Sequence, residues 1–295
     1  MILNKRKNSV IAIGNFDGVH LGHKKVLKEA RKKAKEKKLK AGVLTFEPVP
    51  VMFFNKNITN HRINNFNQKI KYLKMTNIDF LKVIKFNENF SNLSPANFIK
   101  KIIFKKLKAK YIFVSKNFRF GKNREGNTFT LKKYEKNFSY KTIVSNPLRK
   151  KGKVLSSTII RSKIKSGKIK EVKNFLGRSW SIEGKVVKGN MRGRKIGFPT
   201  CNIMLKDYIM PKLGVYSVLV KFGKFKKKGI ANIGYRPTFG GKTLLLEVNI
   251  FGLKKNLYKK NLTVEFVNFI RNERKFKNIN ELKKQIKKDV VKAKS

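Results

Sequence analysis

The sequence GNFDGVHLGH, residues 14 to 23, follows the apolar run SVIAIG at 9 to 14 and precedes a lysine-rich stretch with helical periodicity. This order predicts a buried strand, a tight loop and a helix from about His23 to Lys37. Glycine lets the backbone approach a ligand closely, and the free N–H groups at a helix start favour anions. The stretch therefore predicts an α/β unit that binds phosphate.

Working outward, short apolar runs of strand length alternate with helical patterns, at residues 42 to 46, 80 to 86 and 111 to 115. This alternation predicts a parallel sheet covered on both faces. After Trp180 the β-rich runs are closely spaced and punctuated by Gly, Asn and Pro, which predicts an antiparallel barrel. An amphipathic helix is expected from about Asn280 to Lys292. We therefore expect two domains, at residues 1–180 and 181–295.

The chain carries 73 Lys and Arg against 16 Asp and Glu, a formal net charge of +57. Such a charge attracts nucleic acid without regard to sequence, so a nucleic-acid-binding protein is one interpretation. However, 60 of these residues are Lys and 13 are Arg, they are spread from end to end, and Asn, Ile and Phe are also abundant. These are the residues of A/T-rich codons. We therefore expect no specific nucleic-acid partner, with nucleic-acid binding as the alternative.

No apolar run approaches the ~20 residues that span a membrane, and the N-terminal sequence lacks the pattern of a cleaved signal peptide. The single cysteine, Cys201, has no partner for an internal disulfide, which fits a reducing compartment. The sequence thus predicts a cytoplasmic protein without a membrane partner. It gives no indication of the oligomeric state.

Histidine is scarce, with three residues in the chain, and two of them, His20 and His23, lie in the glycine-rich turn. Both can donate hydrogen bonds to phosphate oxygens, and these bonds strengthen as charge moves onto bridging and leaving oxygens. The sequence SSTIIR at 156 to 161 offers hydroxyls at a second helix start, with Arg161 one turn later as a clamp for a leaving pyrophosphate. These residues predict a phosphate site that needs no protein nucleophile.

A second glycine-rich segment, GNMRGRKIGFPTCN, spans residues 189 to 202 in the β-rich half. The chain has no GxxxxGK[ST] sequence, so a kinase activity needs another triphosphate-binding loop. In this segment Arg194 can neutralise phosphate oxygens, and Thr200 and Asn202 offer hard oxygen ligands suited to Mg²⁺. Three glycines permit a tight loop: Gly189, Gly193 and Gly197. An ordinary glycine-rich hairpin is the alternative.

Acidic residues are rare, and Glu247 lies in LLLEVNIF, a predicted strand with apolar residues on both sides. A carboxylate in such a strand is paired or functional, unless alternation places it on a solvated face. A functional carboxylate here can accept the proton of an alcohol that attacks a phosphoryl group. Glu247 is therefore the candidate general base.

The order and spacing of the motifs resemble those of the bifunctional bacterial riboflavin kinase/FAD synthetases over essentially the whole chain. The motifs are GNFDGVHLGH, TFEP (45–48), NFRFG (117–121), SSTIIR, LGR (176–178), GNMRGRKIGFPTCN, NIGYRPTF (232–239) and FIRNERKF (269–276). The resemblance implies a Rossmann-like HxGH nucleotidyltransferase domain, then an antiparallel flavokinase β-barrel with a terminal helix. It also implies that riboflavin is phosphorylated to FMN with ATP and Mg²⁺, and that AMP is transferred from ATP to FMN, giving FAD and pyrophosphate.

The same resemblance implies roles for individual residues. In the adenylyltransferase half it gives His20, His23 and Arg161 catalytic roles and places ATP on Gly14, Asn15, Phe16, Asp17, Gly22, Ser157 and Thr158. Asn117 and Arg119 would face FMN. In the kinase half it places ATP on Gly189, Gly193, Arg194, Gly197 and Pro199, the metal on Thr200 and Asn202, the catalytic carboxylate at Glu247 and flavin near Arg271.

Three positions depart from the family pattern. Val49 and Asn249 stand where histidine is common, and Gly252 stands where aspartate is common. At Val49 any flavin or phosphate contact that the usual histidine makes is absent, whereas the changes in the kinase half remove no group that the mechanism requires. A chain in which only one of the two sites is active is the alternative.

Overall fold

The structure, a computed structural model, describes residues 8–58, 60–150, 152–189, 192–238, 241–253 and 255–295. Contacts divide the chain into two compact units. The first comprises Met1–Thr59 and Phe66–Ser156, and the second comprises Asn60–Asn65 and Ser157–Ser295. A short segment from within the first half of the sequence therefore belongs to the second unit.

The first unit is built on a five-stranded parallel sheet. Its strands are β1 (Ser9–Ile13), β2 (Lys40–Glu47), β3 (Phe80–Lys85), β4 (Ala109–Ser115) and β5 (Lys141–Ser145), in the spatial order β3-β2-β1-β4-β5. Its α-helices are α1 (Leu21–Glu36), α2 (Pro50–Phe54), α3 (Phe66–Lys74), α4 (Glu88–Ser91), α5 (Pro95–Asn97), α6 (Thr128–Lys133) and α7 (Glu135–Phe138). A π-helix covers Phe98–Lys106, a 3₁₀ turn covers Lys122–Arg124, and a small hairpin joins β6 (Arg149–Lys150) to β7 (Lys153–Val154).

Alternate residues of β1 enter two separate cores. Ile11 and Ile13 face one core, whereas Val10 and Ala12 face the other, together with Leu27 of α1. A strand that is apolar on both faces is typical of a parallel sheet with helices on both sides. The predicted α/β architecture of the first half is therefore confirmed.

The second unit opens with two helices and continues as a closed antiparallel barrel. The helices are α8 (Ser157–Lys165) and α9 (Ile169–Leu176). The barrel strands are β8 (Ser181–Val187), β9 (Cys201–Met204), β10 (Gly214–Phe222), β11 (Phe225–Thr238), β12 (Gly241–Ile250) and β13 (Asn261–Arg271), with α10 (Arg192–Lys195) before β9 and α11 (Ile279–Lys294) at the end. Neighbours around the barrel follow the order β10-β11-β12-β9-β8-β13. The predicted barrel and terminal helix are confirmed.

Trp180 joins the barrel to the segment at 60–65. Its side chain is fully buried, and its ring centroid lies 4.7 Å from that of Phe266. The indole N–H donates a hydrogen bond to the backbone oxygen of Ile63 at 2.8 Å. Arg178 donates to the Asn64 side-chain oxygen at 2.9 Å. The segment is thus held by two side chains that directly precede β8.

Helix α11 packs on the outside of the barrel. Ala293 contacts a small apolar cluster with Val215 and Ile230. Asp289 is 2% exposed and receives hydrogen bonds from the Arg271 guanidinium at the end of β13, with Nε 2.8 Å from Oδ2 and Nη2 2.7 Å from the same oxygen. This buried ion pair fixes the helix to the strand before it.

The sequence predicts that the two functional halves divide at residue 180, and this boundary stays a prediction. The division by contacts falls after Ser156, because α8 packs on α9 and α9 packs on β13. In the residues that the structure describes, no helix combines the length and apolarity needed to cross a membrane.

A fragment of residues 157–295 should be more stable than one of residues 181–295. Only the longer fragment keeps Trp180 together with Val172 and Leu176 of α9, all fully buried. Loss of a buried tryptophan alone costs about 3–5 kcal/mol, so the melting temperature should fall by about 10 °C or more. Thermal unfolding of both fragments, followed by circular dichroism, measures the difference. Equal midpoints would show that these helices do not stabilise the barrel.

Candidate active sites

The first candidate site lies where β1 passes into α1. Helix α1 begins two residues earlier than predicted because His20 caps it: Nδ1 of His20 accepts a hydrogen bond from the backbone N–H of His23 at 3.3 Å. The two imidazole rings stack, with centroids 3.6 Å apart. The structure thus brings the predicted histidine pair together at a helix N-terminus.

The loop before this cap is held in an unusual backbone conformation. Phe16, Gly18 and Val19 have φ angles of 51°, 81° and 38°, and the side chains of Phe16 and Val19 are buried. The Val19 N–H donates to the Phe16 carbonyl oxygen at 3.1 Å, and the Thr45 hydroxyl donates to the Asn15 carbonyl oxygen at 3.1 Å. Left-handed conformations in bulky residues persist where packing imposes them, often at ligand sites.

The start of α1 favours an anion. The first turn contains no acidic residue that would neutralise the positive end of the helix dipole. Space is limited, because a Cβ on Gly22 would lie 3.1 Å from the His20 ring and 3.7 Å from Leu155. The loop also contains Asp17, which is buried, and Gly14, whose N–H donates to the Leu44 carbonyl oxygen within β2. The arrangement can hold phosphate oxygens close to both imidazoles.

The segment after β4 presents two of the predicted flavin-binding residues. Strand β4 pairs directly with β1, and Asn117 and Arg119 follow its carboxyl end as exposed side chains. Phe118 and Phe120 alternate with them, stack at 5.5 Å and pack against the core. The aromatic residues therefore anchor the segment and leave the polar ones available at the carboxyl edge, where open α/β sheets bind ligands.

A buried lysine beneath the end of β2 was not predicted. Lys69 of α3 is 3% exposed, and its ammonium group donates to the Phe46 carbonyl oxygen at 3.0 Å and lies 3.3 Å from the Glu47 carboxylate. Val49, which follows in the same loop, is buried. Lys69 thus fixes the carboxyl end of β2, where the TFEP motif lies. Among 60 lysines the sequence offers no signal that singles it out.

Ser157, Thr158 and Arg161 lie on α8, which the contacts assign to the second unit. Within that unit His61 has a pKa lowered to about 4, first by burial and then by the positive charges of Arg161, Lys165 and Arg62. The prediction that these three α8 residues act together with the histidine pair stays a prediction.

The second candidate site is a polar row on the outer face of the barrel. Glu247 on β12 stands directly opposite Asn202 on β9 and opposite Asn232 on β11. The flanking residues Leu246 and Val248 are fully buried inside the barrel, so alternation turns Glu247 outward. The structure therefore brings the predicted base and one predicted metal ligand together. The NIGYRPTF motif begins at Asn232, and its last residue lies outside the described part of the chain.

The glycine-rich segment folds onto this row. A Cβ on Gly189 would lie 1.9 Å from Nδ2 of Asn202, and a Cβ on Gly193 would lie 2.4 Å from a backbone oxygen of the same segment. Neither position accepts a larger residue without a shift. The Asn249 side chain donates to the Pro199 carbonyl oxygen at 2.7 Å, so Asn249 anchors the end of the loop.

Thr200 and Asn202 fit a hard cation such as Mg²⁺. Asn202 is 7% exposed, and within the described residues its Oδ1 atom is buried without a hydrogen-bond partner. Thr200 lies two residues earlier and is exposed. An unsatisfied amide oxygen and a hydroxyl two residues apart are ligand types suited to a metal that prefers oxygen. Among the residues described, no group of three His, Cys, Asp or Glu side chains could hold a metal ion.

A cavity of about 620 Å³ opens beside the same loop. Gly197, with a φ of 87°, and Pro199 lie on its wall, and Arg194 on α10 is exposed. The other lining residues combine aromatic rings with cationic side chains, including Phe198, Phe222, Phe225, Phe251, Lys227, Lys255 and Lys294. A ligand that combines a planar ring system with phosphates would be complementary to these aromatic and cationic side chains.

Arg271 has a structural role. Its guanidinium is paired with Asp289 and also donates to the Asn272 carbonyl oxygen at 2.9 Å. Direct contact between Arg271 and flavin stays a prediction, whereas its part in fixing α11 is visible.

A capped helix with paired histidines on a parallel sheet, and a glycine-rich loop over a carboxylate on an antiparallel barrel, define a two-domain transferase of phosphate-containing substrates. Two family models match the two halves: FAD synthetase over residues 2–159 and riboflavin kinase over residues 176–295. The chain belongs to the family of bifunctional riboflavin kinase/FMN adenylyltransferases.

Curated relatives with that name extend over nearly the whole chain. The protein of Buchnera aphidicola subsp. Schizaphis graminum is 42% identical over 287 residues, which cover 96% of this chain and 92% of the relative. The Escherichia coli K12 protein is 34% identical and the Bacillus subtilis protein is 36% identical, each over 98% of this chain and 92% of the relative.

The crystal structure of a macrolide-efflux protein from Streptococcus pneumoniae is also similar. It has a TM-score of 0.89 and 31% sequence identity, and the match covers 99% of this chain and 95% of that protein. The similarity includes both units. The name of that protein refers to efflux, whereas the names of the two family models and of the curated relatives refer to flavin chemistry.

Replacement of Arg161 by Gln should raise the pKa of His61 from about 4 towards its ordinary value of 6.5, because one of the charges that disfavours the imidazolium is removed. With three histidines in the chain, the His61 ring protons can be followed by NMR through a pH titration. Arg149→Gln, an exposed change in the first unit, is the matched control. An unchanged His61 titration in Arg161→Gln would contradict the proximity of the two side chains.

Proposed function

We infer that this chain converts riboflavin to FMN and FMN to FAD, with ATP as co-substrate in both reactions. The observation that carries this inference is that two separate glycine-rich phosphate loops, at residues 14–22 and 189–197, fall within the regions matched by two different family models. The barrel carries the kinase reaction. The α/β unit carries the adenylyltransferase reaction.

In the kinase reaction the 5′-hydroxyl of riboflavin attacks the γ-phosphorus of ATP, and the bond to the β–γ bridging oxygen breaks, so ADP leaves. Glu247 accepts the proton of the attacking hydroxyl. Its outward position on β12, beside Asn202, supports this role because a substrate can reach it from outside the barrel. Positioning and charge neutralisation supply most of the rate enhancement in such transfers.

Thr200 and Asn202 would hold Mg²⁺ at the phosphates of ATP. The buried, unsatisfied Oδ1 of Asn202 supports this assignment. The metal would neutralise charge on phosphate oxygens during the transfer. The glycine-rich segment wraps the triphosphate through Gly189, Gly193 and Arg194.

The adjoining cavity would hold the adenine ring of ATP. Its volume of about 620 Å³ and its aromatic lining support this, and Gly197 and Pro199, which line it, directly precede Thr200 in the sequence. Lysines at its rim would meet the phosphates.

In the adenylyltransferase reaction a phosphate oxygen of FMN attacks the α-phosphorus of ATP, and the bond to the α–β bridging oxygen breaks, so pyrophosphate leaves. His20 and His23 donate hydrogen bonds to the oxygens that gain charge. Their stacking at the dipole-positive end of α1 supports this role. The loop residues Gly14, Asn15, Phe16, Asp17 and Gly22 would enclose the phosphates and adenine.

The remaining predicted residues complete the adenylyltransferase proposal. Asn117 and Arg119 would face FMN from the carboxyl end of β4, and their exposure supports this. Ser157, Thr158 and Arg161 would bind the departing pyrophosphate. A cytoplasmic location and the absence of a specific nucleic-acid partner stay predictions.

The two reactions are tested together by incubating the purified protein with riboflavin, ATP and Mg²⁺ and separating riboflavin, FMN and FAD by chromatography. FAD formed from riboflavin supports both assignments. FMN that accumulates without FAD would leave only the kinase, and FAD formed only from supplied FMN would leave only the adenylyltransferase.

Replacement of both His20 and His23 by Ala should lower FAD formation from FMN by about 10²-fold or more, because the hydrogen bonds lost act on the transition state. Conversion of riboflavin to FMN by the same variant should continue and serves as the internal control. The rates are measured separately with each flavin. Undiminished FAD synthesis would refute the role of the pair.

Glu247→Gln should strongly reduce riboflavin phosphorylation, because glutamine keeps the shape of the side chain but cannot accept the proton. Adenylylation of supplied FMN should be unchanged. The matched control is Glu265→Gln, which alters another outward strand carboxylate, one paired with Lys221 on the barrel. Normal kinase turnover by Glu247→Gln would make this glutamate structural.

A further inference from the structure

Glu247 has an asparagine on each side, and only one of the two has been given a function. Asn202 and Asn232 both stand directly opposite Glu247, on β9 and β11. Residues opposite one another in antiparallel strands share a face, with Cβ atoms about 5 Å apart. A hydroxyl group held at Glu247 therefore lies within reach of the Asn232 side chain as well.

The orientation of the Asn232 amide is set by Glu273. The Asn232 Nδ2 group donates a hydrogen bond to Oε1 of Glu273 at 3.0 Å. A carboxylate accepts hydrogen bonds and does not donate them. Glu273 therefore pairs with the NH₂ group of the amide, and the amide oxygen points away from Glu273. Gly234 provides the space for this contact, because a Cβ there would lie 2.0 Å from the same Oε1 atom.

The amide oxygen that results is unsatisfied. In the described part of the chain Oδ1 of Asn232 is buried and has no hydrogen-bond partner, which is energetically unfavourable. The residue as a whole is only partly buried and lies on the outer face, directly opposite Glu247. A donor supplied by the substrate would satisfy the amide oxygen.

We propose that Asn232 is a substrate-contacting residue of the kinase reaction, and that its Oδ1 atom accepts a hydrogen bond from the riboflavin hydroxyl next to the reacting one, on the 4′ carbon. Glu273 positions Asn232 for this contact. The proposal rests on the function proposed above. It makes the barrel selective for an alcohol that carries a second hydroxyl beside the one that is phosphorylated.

The test compares riboflavin with 4′-deoxyriboflavin as phosphate acceptors, in the wild type and in Asn232→Ala. The wild type should prefer riboflavin in kcat/KM by about tenfold or more, because the analogue leaves the amide oxygen unsatisfied. Asn232→Ala should lose this preference by slowing on riboflavin while its rate on the analogue changes little. Glu273→Ala, which frees the amide without removing it, should reduce the preference in part.

Asn268→Ala is the control, since it removes a partly exposed strand asparagine from β13, and the preference should be unchanged. Thermal unfolding of each variant, followed by circular dichroism, reports that the barrel is folded. A full preference for riboflavin in both Asn232→Ala and Glu273→Ala, or an equal loss of rate on both acceptors, would overturn the proposal. A wild type that phosphorylates neither acceptor would instead refute the proposed function.

Discussion

The antiparallel register of the barrel decides where chemistry can take place in the second unit. Asn202, Glu247 and Asn232 form a row only because β9, β12 and β11 pair as they do. A slip of β12 by one residue would turn Glu247 into the interior and bring Leu246 and Val248 to the surface. Since those two side chains are fully buried, burial of the apolar interior fixes the position of the polar row outside it.

A comparable constraint operates in the first unit. The residues of β1 are buried on both faces of the sheet, so the strand cannot change its register. The position at which the loop to α1 begins is therefore fixed. His20 then caps α1 through its own side chain, which means that one imidazole both starts the helix and lies at its anion-binding end. A substitution there changes the helix start as well as the chemistry.

Local patterns account for most of what the sequence predicted correctly. Strand and helix periodicity gave the α/β half, the barrel and the terminal helix, and the spacing of His20 and His23 indicated their pairing. No local sequence pattern indicates the long-range contacts. The attachment of the segment at 60–65 depends on a backbone oxygen of Ile63, which no residue type reveals, and the orientation of Asn232 by Glu273 joins residues 41 positions apart.

Because carboxylates are scarce in this chain, the sequence singles out Glu247, whereas it singles out no individual lysine. With 73 basic and 16 acidic residues, positive charge is spread along the whole sequence, and such a charge attracts anions without selecting a site. Salt screens such attraction beyond about 8 Å at physiological ionic strength. Selectivity must therefore come from fixed short-range geometry, such as the clearance at Gly189 and Gly234. Glu247 and Glu273 belong to that fixed geometry. They mark particular positions on the barrel, whereas the many basic residues do not.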